Sequence, residues 1–149
     1  MKTSLRFTLL FFAILQTASL AAQERYTVKP GDPNGINKWY MGRQIAQVMS
    51  HYGIGWLERE EREQEENTTQ LMKNLAVQPG QVIADIGAGS GYHSTLLSKM
   101  VGNGKVYAVD VEREMIAYLN DRIKREGKKN IFPVLSTEKK VSLPANSID

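Results

Sequence analysis

Residues 82–92 read Val82-Ile83-Ala84-Asp85-Ile86-Gly87-Ala88-Gly89-Ser90-Gly91-Tyr92. This stretch is a short apolar run that ends in an acid and is followed by three alternating glycines. About 19 residues after the last glycine, a second apolar run, residues 106–109, ends in Asp110. The pattern predicts a strand, a glycine turn, a helix and a second strand closed by a carboxylate, which is the layout of a nucleotide-binding βαβ unit.

The residues around the glycines favour one ligand class. A dinucleotide fingerprint has its third glycine one position later, where this chain has Tyr92, and no lysine of a phosphate-binding loop follows. Asp85 beside the loop would repel a pyrophosphate, but it suits a ligand that carries an ammonium and a sulfonium. S-adenosylmethionine is such a ligand. A glycine turn that binds nothing is the structural alternative, although it leaves the two flanking acids unexplained.

At these residues the chain resembles the class I S-adenosylmethionine-dependent methyltransferases, whose first motif reads acid, apolar residue, G-x-G-x-G. The resemblance runs from roughly Leu71 to Asp149. It implies an α/β fold, the Rossmann-like class I methyltransferase three-layer sandwich, here truncated after the third strand and preceded by a helical N-terminal extension. It also implies S-adenosylmethionine as cofactor and in-line methyl transfer to an acceptor, small molecule or protein, that the sequence does not identify.

The resemblance assigns cofactor-binding roles to three loops. The residues concerned are Asp85, Gly87, Ala88, Gly89, Gly91, Asp110, Val111, Thr137 and Glu138. Asp85 would receive the cofactor's ammonium, directly or through water, while the glycine-turn amides and the start of the following helix would face its carboxylate. Asp110 would accept both ribose hydroxyls, and Val111 would pack on the adenine. Thr137 and Glu138 would touch the adenine edge.

No catalytic residue or metal ligand is predicted. The chain has two histidines, His51 and His93, and a surface or packing role is expected for His93. A general base, if the acceptor needs one, is expected from parts of the domain beyond residue 149.

Alternating strands and helices are predicted for this half of the chain. Strands are expected at 81–86, 105–109 and 131–135, and helices at 91–101 and 112–126. Pro133 cannot donate a ladder hydrogen bond, so the third strand is predicted to lie at an edge. The final residues, 143–149, look like the approach to a fourth strand. The sequence is therefore interpreted as a fragment or truncated product of a larger enzyme.

Residues 1–22 are predicted to be a signal peptide. Lys2 and Arg6 precede an apolar run at 7–15, and small residues end near Ala22. The run is shorter than the roughly 20 residues of a membrane-spanning helix. We therefore expect an exported bacterial protein, periplasmic or secreted, with no stable membrane anchor after cleavage. An uncleaved anchor and a misassigned start codon are the alternatives.

An N-terminal arm and helical extension are predicted for residues 23–70. A loose arm is expected to about residue 35, then a helix at 40–52 and a charged helix at 56–66. Asn67 or Thr68 is predicted to cap a further short helix. The mainly acidic run at 58–66 is interpreted as a solvated helix face.

Composition excludes some function classes. The chain has 19 basic and 16 acidic residues, a net charge of +3 to which the predicted signal peptide contributes two charges. The basic residues neither cluster with aromatic residues nor form a stripe, so no nucleic acid is expected as a partner. Cysteine is absent, so no disulfide framework is available.

Three hypotheses about function remain open. The Val77-Gln78-Pro79-Gly80 lead-in and the Gly89-Ser90-Gly91-Tyr92 wording are also similar to protein-L-isoaspartate methyltransferases, which makes protein carboxyl methylation an alternative. Residues 40–43 and 56–59 resemble a set of exported bacterial methyltransferases whose acceptors the sequence does not reveal. From a different class, the chain could be a non-catalytic cofactor-binding remnant.

Overall fold

The computed structural model describes residues 25–149, and the predicted signal peptide lies outside these described residues. The chain divides into two compact units, one ending at Val48 and the other running from Met49 to Asp149. In the described part, no helix has both the length and the apolar character needed to cross a membrane.

The first unit contains a small antiparallel sheet. Its strands are β1 (Thr27–Val28), β2 (Gly35–Tyr40) and β3 (Arg43–Ala46), in that spatial order. Tyr40 pairs with Arg43, so Met41 and Gly42 form a two-residue hairpin turn, and both have positive φ, +48° and +78°. The predicted helix at 40–52 is therefore wrong. The apolar spacing there matches a helical period, but the left-handed turn at Met41 and Gly42 reverses the chain, and residues 43–46 form a strand.

Gln44 organises the turn that precedes β2. Its Oε1 accepts a hydrogen bond from Asp32 N at 2.7 Å, and its Nε2 donates to the carbonyls of Asp32 and Ile36 at 3.0 and 3.1 Å. The segment predicted as a loose arm is therefore tied to β3 by one amide side chain.

The extension is helical only from residue 51 onward. A 3₁₀ turn at His51–Gly53 leads into α1 (Ile54–Leu57), α2 (Arg62–Glu66) and α3 (Thr68–Leu75). The predicted single helix at 56–66 is wrong, because the chain leaves helical geometry between α1 and α2. Asn67 ends α2 with φ of +49°, and its side chain accepts from Gln70 N, which confirms the predicted cap of α3. These helices belong to the same compact unit as residues 71–149. The domain boundary predicted between residues 70 and 71 stays a prediction.

The second unit is built on a parallel sheet. Its strands are β4 (Val82–Ile86), β5 (Lys105–Asp110) and β6 (Ile131–Leu135), in that order, connected by α4 (Tyr92–Val101) and α5 (Arg113–Arg125). These bounds confirm the predicted elements to within a residue or so at each end. Crossovers between parallel strands are right-handed, so α4 and α5 lie on the same face of the sheet.

The core lies between the sheet and its helices. Alternate strand residues, among them Ile83, Val106 and Ile131, pack against Leu97 of α4 and Leu119 of α5. Removing such side chains from water stabilises the fold by about 25 cal/mol per Å² of apolar surface. This packing fixes which ends of the strands meet at the site.

The two edges of the parallel sheet differ. Pro133 pairs with Ala108 on β6, which lies at one edge of the described sheet, as predicted. At the other edge, Asp149 lies beside the start of β4: Asp149 N donates to Val82 O at 3.0 Å, and Val82 N donates to Asp149 Oδ2 at 2.7 Å.

Candidate functional site

A glycine loop, residues 87–91, follows β4 at the carboxyl end of the sheet. Gly87, Gly89 and Gly91 have φ of +78°, +54° and +82°, a left-handed region that side chains with a Cβ rarely adopt. A Cβ at Gly91 would lie 2.4 Å from Leu119 Cδ2, whereas a Cβ at Gly87 would meet nothing within 4 Å. The loop therefore packs on α5 at one end and faces open space at the other.

Backbone hydrogen bonds tie the glycine loop to β5. Gly87 N and Ala88 N both donate to Val109 O, at 2.8 and 2.9 Å, and Gly91 N donates to Ala88 O at 2.8 Å. These three amides therefore have backbone acceptors within the protein, and the expectation that loop amides face the cofactor's carboxylate stays a prediction. Thr95 N is the first amide of α4 to bond back into the helix, so the first turn of α4 is the part that can receive an anion.

Asp110 lies at the end of β5 with 8% of its surface exposed. Its Oδ2 accepts from Gly89 N at 2.8 Å, and its Oδ1 accepts from Glu112 N at 3.0 Å. Each carboxylate oxygen has two lone pairs, so both can accept a further hydrogen bond. This donor set fits a ribose with adjacent hydroxyls, and Val111, 37% exposed, offers an apolar surface next to it.

Asp85 faces the helical layer from β4. Its Oδ2 accepts from the hydroxyl of Ser94 at 2.7 Å, and Ser94 is fully buried in α4. The structure thus places Asp85 two residues before the first residue of the glycine loop, where it accepts a hydrogen bond from Ser94, a residue that the sequence analysis did not single out.

Thr137 and Glu138 lie in an exposed turn after β6, where Thr137 pairs with Lys140. The residue before them, Ser136, donates its N–H to Asp110 O at 2.8 Å. The structure therefore brings the start of this turn beside Asp110, and the assignment of Thr137 and Glu138 to the adenine edge stays a prediction.

Glu58, Ser90 and Arg122 form a polar cluster that the sequence analysis did not single out. Ser90 Oγ donates to Glu58 Oε1, and Arg122 Nη1 donates to the same oxygen, both at 2.5 Å. Burial opposes the charge of Arg122, but its hydrogen bonds with Glu126 and Glu58 outweigh this, so the pKa of Arg122 is raised. The glycine loop therefore contacts both α5 and the segment upstream of α2.

The run at 58–66 is not a uniformly solvated face. Arg62 is only 8% exposed; it donates to Leu57 O at 2.7 Å and lies 4.3 Å from the ring centroid of Tyr92. Alternation of Arg with Glu in this run was the available signal, because a buried guanidinium needs several partners.

His51 pairs with Glu112 beside Asp110. His51 Nδ1 lies 2.9 Å from Glu112 Oε1, and hydrogen bonds from His51, its side chain first, lower the pKa of Glu112. Glu114 brings a third donor, so that ligand atoms of the three residues lie within 4.8 Å of one another and could hold a metal ion. The sequence analysis had predicted no metal ligand.

His93 lies in a groove of about 430 Å³ along β4, whose lining includes Leu71, Ile83, Asp85 and Asp149. Its Nε2 is buried and has no hydrogen-bond partner among the described residues. Its ring meets that of Tyr92 edge-on at 5.4 Å. These contacts are those of a packed side chain at the rim of an apolar groove.

Known proteins resemble the second unit. Residues 83–149 match the family model described as "Methyltransferase domain". A protein-L-isoaspartate O-methyltransferase of Aeropyrum pernix is 33% identical over 78 residues, which are 52% of this chain and 30% of that protein. A solved SAM-dependent methyltransferase from Aquifex aeolicus is 34% identical with a TM-score of 0.64, covering 68% of this chain and 54% of that chain.

The YcgJ protein from Bacillus subtilis shares the fold, with a TM-score of 0.51 at 22% identity over 57% of this chain and 36% of that chain. The chain spans 30% of the length of two of the curated relatives and 36% of another. The names of these proteins therefore describe longer chains.

Proposed function

We propose that this protein serves in S-adenosylmethionine-dependent methyl transfer, because residues 83–149 match a methyltransferase domain model and a solved SAM-dependent methyltransferase is 34% identical to the chain. The α/β Rossmann-like fold predicted from the glycine motif is confirmed. The observation that carries the proposal is Asp110: a nearly buried carboxylate, fixed by the glycine loop, with capacity left on both oxygens.

The chain's own residues would bind and orient rather than react. Asp110 would accept the ribose hydroxyls, Val111 would pack on the adenine, and Thr137 and Glu138 would contact the adenine edge. The open side of Gly87 and the first turn of α4 would receive the methionine end, with Asp85 near its ammonium. When bound, the cofactor supplies a methyl carbon already activated by its sulfonium, so positioning and exclusion of water are the protein's main tasks.

Calorimetric titration tests the cofactor assignment. S-adenosylmethionine should bind, and neither NAD nor ATP should compete well. Asp110→Ala removes an acceptor of charged hydrogen bonds worth about 1.5–3 kcal/mol each, so the affinity should fall at least about tenfold. Asp121→Ala, an exposed acid of α5, is the matched control and should leave the affinity unchanged. Unchanged affinity in Asp110→Ala, or tight NAD binding by the parent, would reject the assignment.

As a second, more specific candidate function, the methyl acceptor is proposed to be the carboxylate of an isoaspartyl residue in a protein. Curated relatives from Aeropyrum pernix, Methanococcoides burtonii and Pyrococcus horikoshii carry that activity in their names, and the Val77–Gly80 sequence of this chain resembles that family. The test is transfer of labelled methyl groups to an isoaspartyl peptide against its aspartyl isomer. Equal or absent labelling of both peptides would leave another acceptor, or a non-catalytic cofactor-binding remnant, as the better description.

Export is proposed from the N-terminal pattern. Lys2, Arg6 and the apolar run at 7–15 support a cleaved signal and a periplasmic or secreted protein. The proposal includes no nucleic-acid partner.

A further inference from the structure

The segment at residues 49–66, here called the upstream segment, lies outside the matched methyltransferase domain but contacts its glycine loop. A Cβ at Gly89 would lie 3.1 Å from Leu57 Cδ1, and the next residue, Glu58, accepts a hydrogen bond from Ser90 Oγ. Ser90 is 1% exposed, so this hydroxyl is withdrawn from water. The glycine loop is thus contacted on its backbone by Leu57 and on its one polar side chain by Glu58.

Arg122, in α5, makes hydrogen bonds to both Glu58 and Ser90. Its Nη1 donates to Glu58 Oε1 at 2.5 Å and to Ser90 O at 3.0 Å. The hydroxyl and the carbonyl of Ser90 are therefore bonded to Glu58 and Arg122 respectively, an ion pair whose side chains are 26% and 14% exposed. Because Arg122 balances the charge of Glu58, the Glu58–Arg122 pair adds no net negative charge beside the loop.

The hydrogen bonds of Ser90 with Glu58 and Arg122 also restrict Gly89, the residue before it. Gly89 N donates to Asp110 Oδ2 at 2.8 Å, and Gly89 and Gly91 flank Ser90 with positive φ. Glycines lose more conformational freedom on ordering than other residues, so a loop of alternating glycines needs outside contacts to keep one shape. A binding loop ordered before its ligand arrives binds more tightly, because less entropy is lost on binding.

The arginine–glutamate pairs within the upstream segment have a local role. Arg59 pairs with Glu65 and Glu66, and Arg62 pairs with Glu66, all within the segment. Glu58 differs because its partners, Ser90 and Arg122, belong to the glycine loop and to α5. It is therefore the acid of this run whose bonds bear on the cofactor site.

We propose that Glu58 is a positioning residue, which acts with Arg122 through Ser90 to hold the glycine loop, and the Gly89–Asp110 hydrogen bond, in the shape that binds cofactor. This inference rests on the proposed function for its ligand, S-adenosylmethionine. The site then includes a residue from the upstream segment as well as the three loops of the parallel sheet.

Glu58→Gln and Glu126→Gln make a matched pair on the full chain, since each removes one carboxylate from Arg122. Glu58→Gln should weaken S-adenosylmethionine binding about tenfold by calorimetry, because a charged hydrogen bond that orders the loop is lost. Glu126→Gln should stay within about twofold of the parent. Ser90→Ala should weaken binding, and Glu58→Gln in that background should add less than it does alone.

Amide hydrogen exchange in the absence of cofactor distinguishes a positioning role from a general structural one. A general structural role would not change exchange in the glycine loop selectively. Exchange at Gly89 and Ser90 should be faster in Glu58→Gln and unchanged in Glu126→Gln, while amides of β5 keep the parent's rates. Parent-like exchange and affinity in Glu58→Gln would overturn the inference and leave the proposed function standing. A parent that binds no S-adenosylmethionine would overturn the proposed function and the cofactor role of Glu58 together. Uniformly faster exchange across β5 would also overturn the inference, by showing a general loss of stability.

Discussion

Glu112 joins the carboxyl end of β5 to the upstream segment. Its backbone N–H donates to Asp110, and its carboxylate accepts from His51. The main chain of Glu112 thus orients Asp110, the residue proposed to accept hydrogen bonds from the ribose. The side chain of Glu112 contacts the turn at residues 51–53. The pKa of Glu112 is lowered mainly by the His51 side chain, so the charged carboxylate is the form that the folded protein favours.

Stability should therefore fall in acid partly through Glu112. The folded pKa lies below the usual value of 4.5, so the contribution is complete above about pH 4.5 and is lost as the pH falls through the folded pKa. Glu112→Gln should be less stable than the parent at pH 7, and the difference should shrink below pH 4.5. Urea unfolding between pH 3 and 7 measures this.

Glu60→Gln, at an exposed position of the upstream segment, is the control and should follow the parent at every pH. A difference between parent and Glu112→Gln that stays constant from pH 3 to 7 would contradict the role given to the His51–Glu112 pair.

Sequence reasoning reached some residues of the site and missed others for a physical reason. Gly87, Gly91 and Asp110 are visible in the sequence because a left-handed turn and a strand-end acid restrict residue type and spacing. Glu58 and Arg122 are not, since their role depends on the residue after α1 and a residue of α5 meeting at Ser90, a contact between residues far apart in sequence. In the sequence alone, each of them is an ordinary charged residue in a charged stretch.

The same contrast holds for helices and strands. β4 to β6 and their helices were predictable because apolar period, caps and glycine stops agree along each element. The β2–β3 hairpin was missed because its turn is Met41-Gly42 rather than a residue pair with a strong turn preference. Met41, Ile45 and Val48 also fall at helical spacing, so the pattern alone favoured the wrong element.

Gly104 sets how closely β4 and β5 approach at their starts. Its φ is not in the left-handed region, but a Cβ there would lie 2.1 Å from Gln81 O and 2.8 Å from Gly80 C, both backbone atoms. Gly104→Ala should therefore force the two chains apart and lower the free energy of unfolding by about 1–3 kcal/mol. Chemical denaturation measures the loss.

Gly55→Ala is the matched substitution in α1, where a Cβ would meet nothing within 4 Å. It should be neutral or slightly stabilising, because alanine has the higher helix propensity. Equal stability of the Gly104→Ala and Gly55→Ala variants would show that the starts of β4 and β5 can move apart at lower cost than the backbone contact implies.

For the whole molecule, export predicts a defined mature terminus. The basic start, the apolar run and the small residues before Ala22 should direct cleavage so that the mature protein begins at Ala22 or Gln23. Expression in a bacterial host, followed by fractionation and N-terminal sequencing, measures this. An intact Met1 on a cytoplasmic species would contradict export, and the Lys2→Glu, Arg6→Glu double variant should reduce cleavage.

The neighbour order β4-β5-β6 has a consequence for synthesis on the ribosome. Each strand pairs with the next one along the chain, and the paired residues are 23 to 25 positions apart. Parallel pairing across such separations is slow to form, but translation adds only about 5–20 residues per second, so each strand has time to pair with the strand before it. The glycine loop, Asp110 and the helices that hold them can therefore assemble as soon as β6 has left the exit tunnel. Until β6 emerges, β5 presents an unpaired edge to other chains, which makes that interval the one in which a chaperone would be needed first.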